Sequence, residues 1–321
     1  MNATRAMAMA AILLLAGAAL APPAHAEETK LTIFAAGTLA VPFRTIDRAF
    51  EAKNANVAVQ PQFGGSVKMA KQITELHMPA DILAVADYNV IPKYLFGANG
   101  KPRLADWYVG FARNAITFVY TPKSKFASEI DAKNWYKILA RRGVEIGRSD
   151  PDTDPSGYQT VQMLALAAKY YHAPGLASSV LANAPLKNMR DTETSLIAAL
   201  QLGQIDYLAI YRSDALQHRL KFLDLPSEIN LSDPTHAAFY KTGIAHTKNG
   251  ALEGKPIVYA LTIPSVAPHP ALAAKYIAYL LGPEGRKVLA ADGFGTFEPA
   301  YAVGTKVPAA IHGLTAPWPS S

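Results

Sequence analysis

The chain has 321 residues, half of them hydrophobic, with no cysteine and a formal net charge of +6. This composition excludes a disordered chain and a disulfide-stabilised one, and the length allows two domains, each with its own core. The 31 basic residues are scattered and form no basic aromatic stripe, so nucleic acid is a poor candidate partner.

The N-terminal segment has the pattern of a targeting signal. Arg5 precedes the apolar run AMAMAAILLLAGAALA, and two prolines and the small-residue signature Ala24-His25-Ala26 follow it. This pattern predicts a secretory signal peptide over residues 1–26, cleaved after Ala26. No later stretch is long and apolar enough to predict a membrane span. Since no cysteine follows the cleavage point, we expect a periplasmic protein that is not a lipoprotein.

Strand-like and helix-like segments alternate in the first part of the mature chain. The strands are predicted at LTIFAAG, VAVQPQFGG and DILAVAD, and the helices between them at TLAVPFRTIDRAFEAKN and SVKMAKQITELH. This β-α-β-α-β order predicts a parallel sheet, because each helix carries the chain back to the same end.

A second lobe is predicted after the strand RNAITFVYTPKS. Its strands are predicted at VEIGRSD and IDYLAIYRS, and its helices at TVQMLALAAKYYHAPG and ETSLIAALQLGQ. The strand KPIVYALTIPS then returns, and the segment PALAAKYIAYLLGPEGRKVLAADGF predicts two more helices.

Two strand-to-helix turns of the first lobe carry residues suited to an anion. Thr38 follows Gly37 at the first turn, and Ser66 follows Gly65 at the second. Ligands of open α/β sheets bind outside the carboxyl ends of the strands, and a helix start there offers free backbone N–H groups and a positive dipole end. A hydroxyl expected at each N-cap adds a donor. The alternative is that Thr38 and Ser66 are ordinary helix caps.

Acidic residues stand at the corresponding turns of the second lobe. Asp154 precedes Pro155, Glu193 opens a predicted helix, and Tyr211 ends a strand. At about 4 Å, a carboxylate and an anion repel by several kcal/mol at an effective dielectric constant near 20. The acids are therefore either structural caps or contacts of a positive centre inside the ligand. The hexavalent metal of tungstate or molybdate is such a centre, because it accepts carboxylate oxygens.

Several of these segments together resemble the tungstate- and molybdate-binding solute receptors of ABC transporters, in particular the archaeal-type tungstate binders. The resemblance spans about residues 30–301, and the segments GRSDPDTDPSGYQ and ETSLIAALQLGQIDYLAIYRS carry it best. It implies an α/β, two-lobed periplasmic-binding-protein fold of type II. Each lobe is expected to be a mostly parallel sheet flanked by helices, with two strands crossing between the lobes. The expected first lobe comprises residues 27–113 and 243–321, and the second residues 114–242.

The resemblance also implies a set of ligand contacts. Thr38, Ser66 and Tyr211 are expected to bind the oxyanion oxygens, and Asp154 and Glu193 the metal. Thr38 stands where the family usually has serine. Ser156 stands where many relatives have cysteine, and no consequence for binding is assigned to it. Asp150 and Asp152 lie close enough in sequence to replace Asp154.

The expected function is that of a monomeric extracytoplasmic receptor that binds tungstate or molybdate and delivers it to a membrane permease. No resident cofactor, enzymatic activity or nucleic-acid partner is expected. Two alternatives stay open: a receptor for phosphate or sulfate, and a secreted hydrolase that uses Asp154 and Glu193 as acid and base. The motif G-x-S-x-G, which would indicate a nucleophile elbow, is absent around Ser66.

Overall fold

The computed structural model describes residues 28–97, 100, 102–248 and 250–319. The predicted signal peptide, residues 1–26, lies outside the described residues. No helix in the described part of the chain is long and apolar enough to cross a membrane.

Fourteen strands are assigned within the described residues. In chain order they are β1 (Thr29–Ala36), β2 (Val57–Gly64), β3 (Ile82–Val85), β4 (Trp107–Arg113), β5 (Ile116–Tyr120), β6 (Ile146–Ser149), β7 (Met189–Arg190), β8 (Tyr207–Tyr211), β9 (Lys221–Phe222), β10 (Ile244–Thr247), β11 (Gly250–Glu253), β12 (Val258–Thr262), β13 (Gly295–Gly304) and β14 (Thr315–Pro317).

Twelve α-helices are assigned in the same part of the chain. They are α1 (Ala40–Ala52), α2 (Ser66–Thr74), α3 (Val90–Leu95), α4 (Trp135–Leu139), α5 (Pro155–Tyr170), α6 (Leu176–Ala182), α7 (Ile197–Gln201), α8 (Arg212–Gln217), α9 (Ser227–Asn230), α10 (Ala237–Tyr240), α11 (Pro270–Leu281) and α12 (Pro283–Ala291). Short 3₁₀ turns include Gly37–Leu39, before α1, and Glu193–Leu196, before α7.

The first lobe is built on a seven-stranded sheet with the order β14-β13-β4-β12-β3-β1-β2. Strand β1 pairs in parallel with both β2 and β3, which confirms the predicted β-α-β-α-β unit. Strand β12 is antiparallel to both β3 and β4, and β13 is antiparallel to β4 and parallel to β14. The sheet is therefore mixed rather than mostly parallel, because β12, β13 and β14 run in the direction opposite to β1, β2, β3 and β4.

The second lobe is built on a five-stranded sheet with the order β7-β6-β8-β5-β9. Strand β6 is parallel to β7 and β8, whereas β5 is antiparallel to β8 and β9, so this sheet is mixed as well. The chain leaves the first sheet after β4, and it returns through α9, α10 and the β10–β11 hairpin. The two crossing segments run side by side, since the N–H of Asn114 donates to the carbonyl of Ile257 at 3.4 Å.

The buried strands and helix faces follow from the apolar pattern of the sequence. Every residue of β3, β8 and β12 is buried. In α1 and the turn before it, the apolar residues at helical spacing, Leu39, Phe43, Ile46 and Phe50, are at most 1% exposed. This confirms the two-lobed α/β architecture. Helix α5 begins at Pro155, because proline fits the first helical position, and it ends at Tyr170, before the predicted end at Gly175.

Candidate functional site at the junction of the lobes

The two predicted hydroxyls of the first lobe are buried and held by partners far away in sequence. Thr38 lies inside the 3₁₀ turn before α1, and its Oγ1 is 2.9 Å from the hydroxyl of Tyr259. Ser66 is the first residue of α2, and its Oγ accepts from the N–H of Ala86 at 3.0 Å. Neither residue caps its helix, so the predicted N-cap positions are wrong. The tertiary partners replace the local capping bonds.

The two predicted acids of the second lobe lie together, joined by a serine. The hydroxyl of Ser156 is 2.9 Å from Asp154 Oδ2, 2.8 Å from Glu193 Oε2 and 2.6 Å from the hydroxyl of Ser149. A hydroxyl carries only one proton, so Ser156 can donate to one carboxylate at a time. Ser156, to which the sequence assigned no role, therefore links both acids.

This acid pair, Asp154 and Glu193, has an unfavourable electrostatic environment. Their side chains are 3% and 1% exposed, and no Lys or Arg of the described residues forms an ion pair with either. Burial raises the pKa of the Asp154 carboxyl. Burial, followed by the charge of Asp154, raises the pKa of Glu193 well above its usual range. Buried acids without a cation are costly for the fold and are characteristic of functional sites.

The lobes approach so closely here that the acid pair touches the first lobe. The backbone N–H of Ser66 hydrogen-bonds to Asp154, and the N–H of Lys68 donates to the carbonyl of Thr153 at 3.3 Å. A Cβ on Gly65 would lie 2.5 Å from that carbonyl oxygen, and one on Gly37 would lie 3.2 Å from Thr194 Oγ1. Glycine at both turns therefore permits close contact between the lobes.

Tyr211 lies beside the acid pair without bonding to it. Its hydroxyl donates to Gln159 Oε1 at 2.7 Å, and its ring meets that of Tyr259 edge to face at 5.8 Å. Burial raises the pKa of Tyr211 well above its usual range. The structure thus brings Tyr211 to the junction, but it directs the hydroxyl to Gln159.

Asp150 and Asp152, the alternatives to Asp154, have other partners. Asp150 Oδ1 accepts from the N–H of Asp152 at 2.9 Å, and Asp152 forms an ion pair with Lys248 at 3.4 Å. Neither is bonded to Glu193 in the described part of the chain. Asp154 is the aspartate that lies next to Glu193.

Three residues at the junction were missed by the sequence analysis. Tyr259 of β12 bonds to Thr38, and Asn114 donates to the Tyr259 hydroxyl at 3.3 Å and to Ser213 Oγ at 2.7 Å. Asp214 of α8 is 1% exposed. Only Asp214 had a visible signal, since it is an acid just after the strand that ends at Tyr211. Tyr259 and Asn114 are placed by contacts with residues 99 to 221 positions away in the sequence.

Two cavities flank the junction, with volumes of about 530 and 480 Å³. The larger lies beside Asp87 and Tyr158, and the smaller beside Gly37 and Asp214. Neither is lined by the acid pair, which is covered by its own neighbours. Among the residues that the structure describes, no group of three or more His, Cys, Asp or Glu side chains is arranged to hold a metal ion.

Comparisons with known proteins agree with this architecture. The family described as bacterial extracellular solute-binding protein matches residues 31–295. The molybdate/tungstate-binding protein WtpA of Thermococcus kodakarensis is 39% identical over 316 residues, covering 90% of this chain and 88% of the relative. An uncharacterized solute-binding protein of Petrotoga mobilis is 39% identical over 276 residues, covering 84% of each. The periplasmic molybdate-binding protein of Azotobacter vinelandii shares the fold, with a TM-score of 0.61, 18% identity, and coverage of 82% of this chain and 98% of that one.

Proposed function

Because this chain belongs to the bacterial extracellular solute-binding proteins, we propose that it is a receptor that binds tungstate or molybdate between its two lobes. The observation that carries the proposal is the acid pair, buried at the lobe junction with hydroxyl and amide partners but no bonded Lys or Arg among the described residues. Such a pair suits a ligand that presents a positive centre to it.

The first lobe supplies what the oxygens of an oxyanion need. Two turns at Gly37–Thr38 and Gly65–Ser66 begin helical segments, so they offer backbone N–H groups and hydroxyls at one place. We propose that Thr38 and Ser66 bind the oxyanion oxygens from this side. Tyr211 contributes from the second lobe by turning its hydroxyl away from Gln159.

The second lobe supplies ligands for the metal at the centre of the oxyanion. Asp154 and Glu193 would add carboxylate oxygens to tungsten or molybdenum and raise its coordination number from four towards six. Sulfate has no centre that accepts a carboxylate oxygen, and the hydrogen phosphate dianion can give a proton to only one of the two acids. The acid pair therefore favours the group-six oxyanions over both alternatives.

Binding would couple to closure because neither lobe holds the whole site. Thr38 and Ser66 belong to the first lobe, whereas Asp154 and Glu193 belong to the second. A ligand that contacts both favours the closed form through its higher affinity for that form. The closed receptor would then present its cargo to the permease of an ABC transporter.

The cellular setting of the proposal follows from the N-terminal segment. We propose that cleavage after Ala26 releases a monomer into the periplasm, with no resident cofactor and no enzymatic activity. The oxyanion is cargo, which the receptor binds reversibly.

Thermal melting and titration calorimetry test this function with tungstate, molybdate, sulfate and phosphate. A receptor gains stability as RT ln(1 + [L]/Kd), so micromolar tungstate or molybdate raises the melting temperature and sulfate does not. Glu193→Ala should weaken tungstate binding at least about 100-fold, because it removes a ligand of the metal. Glu129→Ala, an exposed acid of the same lobe, is the matched control and should leave binding unchanged.

Two results would contradict the proposal. A wild-type protein that ignores both group-six oxyanions is not their receptor. Unchanged tungstate affinity in Glu193→Ala would show that the Glu193 carboxylate is not a ligand of the metal. The site would then be an anion site built from hydroxyls and amides alone.

A further inference from the structure

Asp214 is a buried acid whose carboxyl has no hydrogen-bond partner from another residue in the part of the chain that the structure describes. It lies in α8, just after β8, and its side chain is 1% exposed. Neither carboxyl oxygen bonds to another of the described residues, and only the N–H of its own backbone lies near. A buried polar group without a partner is rare in folded proteins and points to a role outside the packing of the chain.

Asp214 is one of the residues that line the cavity of about 480 Å³ between the lobes. Gly37, Thr192 and Thr194 line the same cavity, and they are the chain neighbours of Thr38 and Glu193. The Thr192 hydroxyl is 3.1 Å from that of Thr194, so these two groups already bond to each other. Asp214 lies next to the proposed ligand contacts and, unlike these two threonines, has no hydrogen-bond partner among the described residues.

The charges around Asp214 determine its protonation. The acids Asp154 and Glu193 and the hydroxyl of Tyr259 lie within range of its charge. Arg44 and His218 also line the cavity, but Arg44 is solvent-exposed and burial lowers the pKa of His218. Burial, followed by the charge of Asp154, raises the pKa of Asp214 well above its usual range.

We propose that Asp214 is an additional binding residue of the oxyanion site, and that its protonated carboxyl donates a hydrogen bond to an oxygen of the bound anion. A neutral carboxyl adds a donor without adding the repulsion of a third negative charge. The described residues offer this O–H no acceptor, and an oxyanion oxygen supplies one. The inference rests on the proposed function, since it assigns one more contact to the same ligand.

Three substitutions of Asp214 separate this role from the alternatives, with sodium tungstate and sodium molybdate as probes in titration calorimetry. Asp214→Asn keeps a donor in the same shape and should bind within about threefold of wild type. Asp214→Leu and Asp214→Ala keep no donor and should bind roughly tenfold more weakly or worse. Asp224→Leu, an exposed acid of the same lobe, is the matched control. Melting of the ligand-free variants checks the fold, and Asp214→Ala carries the test should Asp214→Leu not fold.

The outcomes are distinct. Tighter binding in both the Asn and the Leu variants would mean that Asp214 is ionised and repels the anion, and it would overturn the inference. Equal affinity in all variants would mean that Asp214 does not touch the ligand, and this result would overturn the inference too. Wild-type protein that binds neither oxyanion would overturn the proposed function as well, whereas wild-type binding with an unaffected Leu variant overturns the role of Asp214 alone.

Discussion

Two buried acidic clusters join the lobes, and they differ in how their charge is balanced. In the first, the Asp87 latch, Asp87 accepts from the hydroxyl of Tyr158 at 2.7 Å and from Lys255 Nζ at 2.9 Å. In the second, the acid pair, Asp154 and Glu193 receive serine hydroxyls and the backbone N–H groups of Ser66 and of Glu193 itself, and no bonded cation of the described residues. Both are at least 95% buried.

The difference separates a structural acid from a binding acid. The latch has its counter-charge within the chain, so it contributes to the contact between the lobes. The acid pair is incomplete, and a ligand with a positive centre completes it. The acids of the two clusters are similarly buried, so burial does not distinguish a structural acid from a binding acid. Their hydrogen-bond and ion-pair partners do.

The strongest test of the comparison removes Asp154. We expect Asp154→Ala to weaken tungstate binding at least about 100-fold, or about 3 kcal/mol, because a metal ligand is lost at a desolvated site. Asp152→Ala is the matched control, since Asp152 bonds to Lys248 and should leave affinity nearly unchanged. Titration calorimetry measures both. If Asp152→Ala lost much of the tungstate affinity and Asp154→Ala lost none, the metal ligand would be Asp152 rather than Asp154.

Removing the acid of the latch should affect stability instead. We expect Asp87→Ala to lower the free energy of unfolding by about 2–3 kcal/mol, because Tyr158 and the largely buried Lys255 lose their partner. Urea denaturation of the ligand-free protein measures this loss in the free energy of unfolding. Asp106→Ala, whose two cation partners are exposed, is the control and should have little effect. If Asp87→Ala changed the free energy of unfolding as little as the control does, the latch would not stabilise the fold.

Removing the charge of Glu193, an acid of the pair, should increase the free energy of unfolding, whereas removing Asp87 lowers it. In the unfolded chain Glu193 loses its proton near pH 4.3, whereas in the folded protein burial and Asp154 raise its pKa. As the pH rises above about 4.3, the wild type therefore loses stability until the folded-state pKa is passed. We expect Glu193→Gln, which cannot ionise, to be about 1–2 kcal/mol more stable than wild type at pH 8 without ligand, and equal to it at pH 4.

Urea denaturation at the two pH values decides this prediction. Glu129→Gln, at an exposed position, serves as the control and should track the wild type throughout. A Glu193→Gln variant that is less stable than wild type at pH 8 would mean that Glu193 is a satisfied structural acid, and the contrast with Asp87 would disappear.

The fold was largely predictable from the sequence because its signals are local. Apolar periodicity predicted β1, α1 and β2, and the fully apolar run of β3 predicted its burial. The positions of Thr38 and Ser66 at strand ends were predictable for the same reason. Their bonding was not, because Tyr259 and Ala86 reach them through tertiary packing and replace the expected capping bonds.

The charge balance of the junction could not be predicted from the sequence either. The sequence presents Asp87, Asp154 and Asp214 alike, as aspartates next to apolar strands or helix starts. Only the three-dimensional arrangement pairs Asp87 with Lys255 and leaves Asp214 without a partner. Whether an acid is structural or available to a ligand depends on contacts between distant segments, and periodicity carries no information about those.

The smallest expected effect concerns the hydroxyl of the latch. Tyr158 lies on α5 of the second lobe and bonds to Asp87 of the first, so Tyr158→Phe removes one interlobe hydrogen bond while keeping the ring and the Asp87–Lys255 pair. Water replaces that bond in the open form, so the closed form should lose only about 1 kcal/mol. Because the ligand binds the closed form, tungstate affinity should fall by up to about fivefold. Small-angle scattering should find the ligand-free variant more open than wild type. Tyr170→Phe, at an exposed position at the end of the same helix, should change neither quantity. If Tyr158→Phe binds as tightly as wild type, the latch stabilises each lobe separately and plays no part in closure.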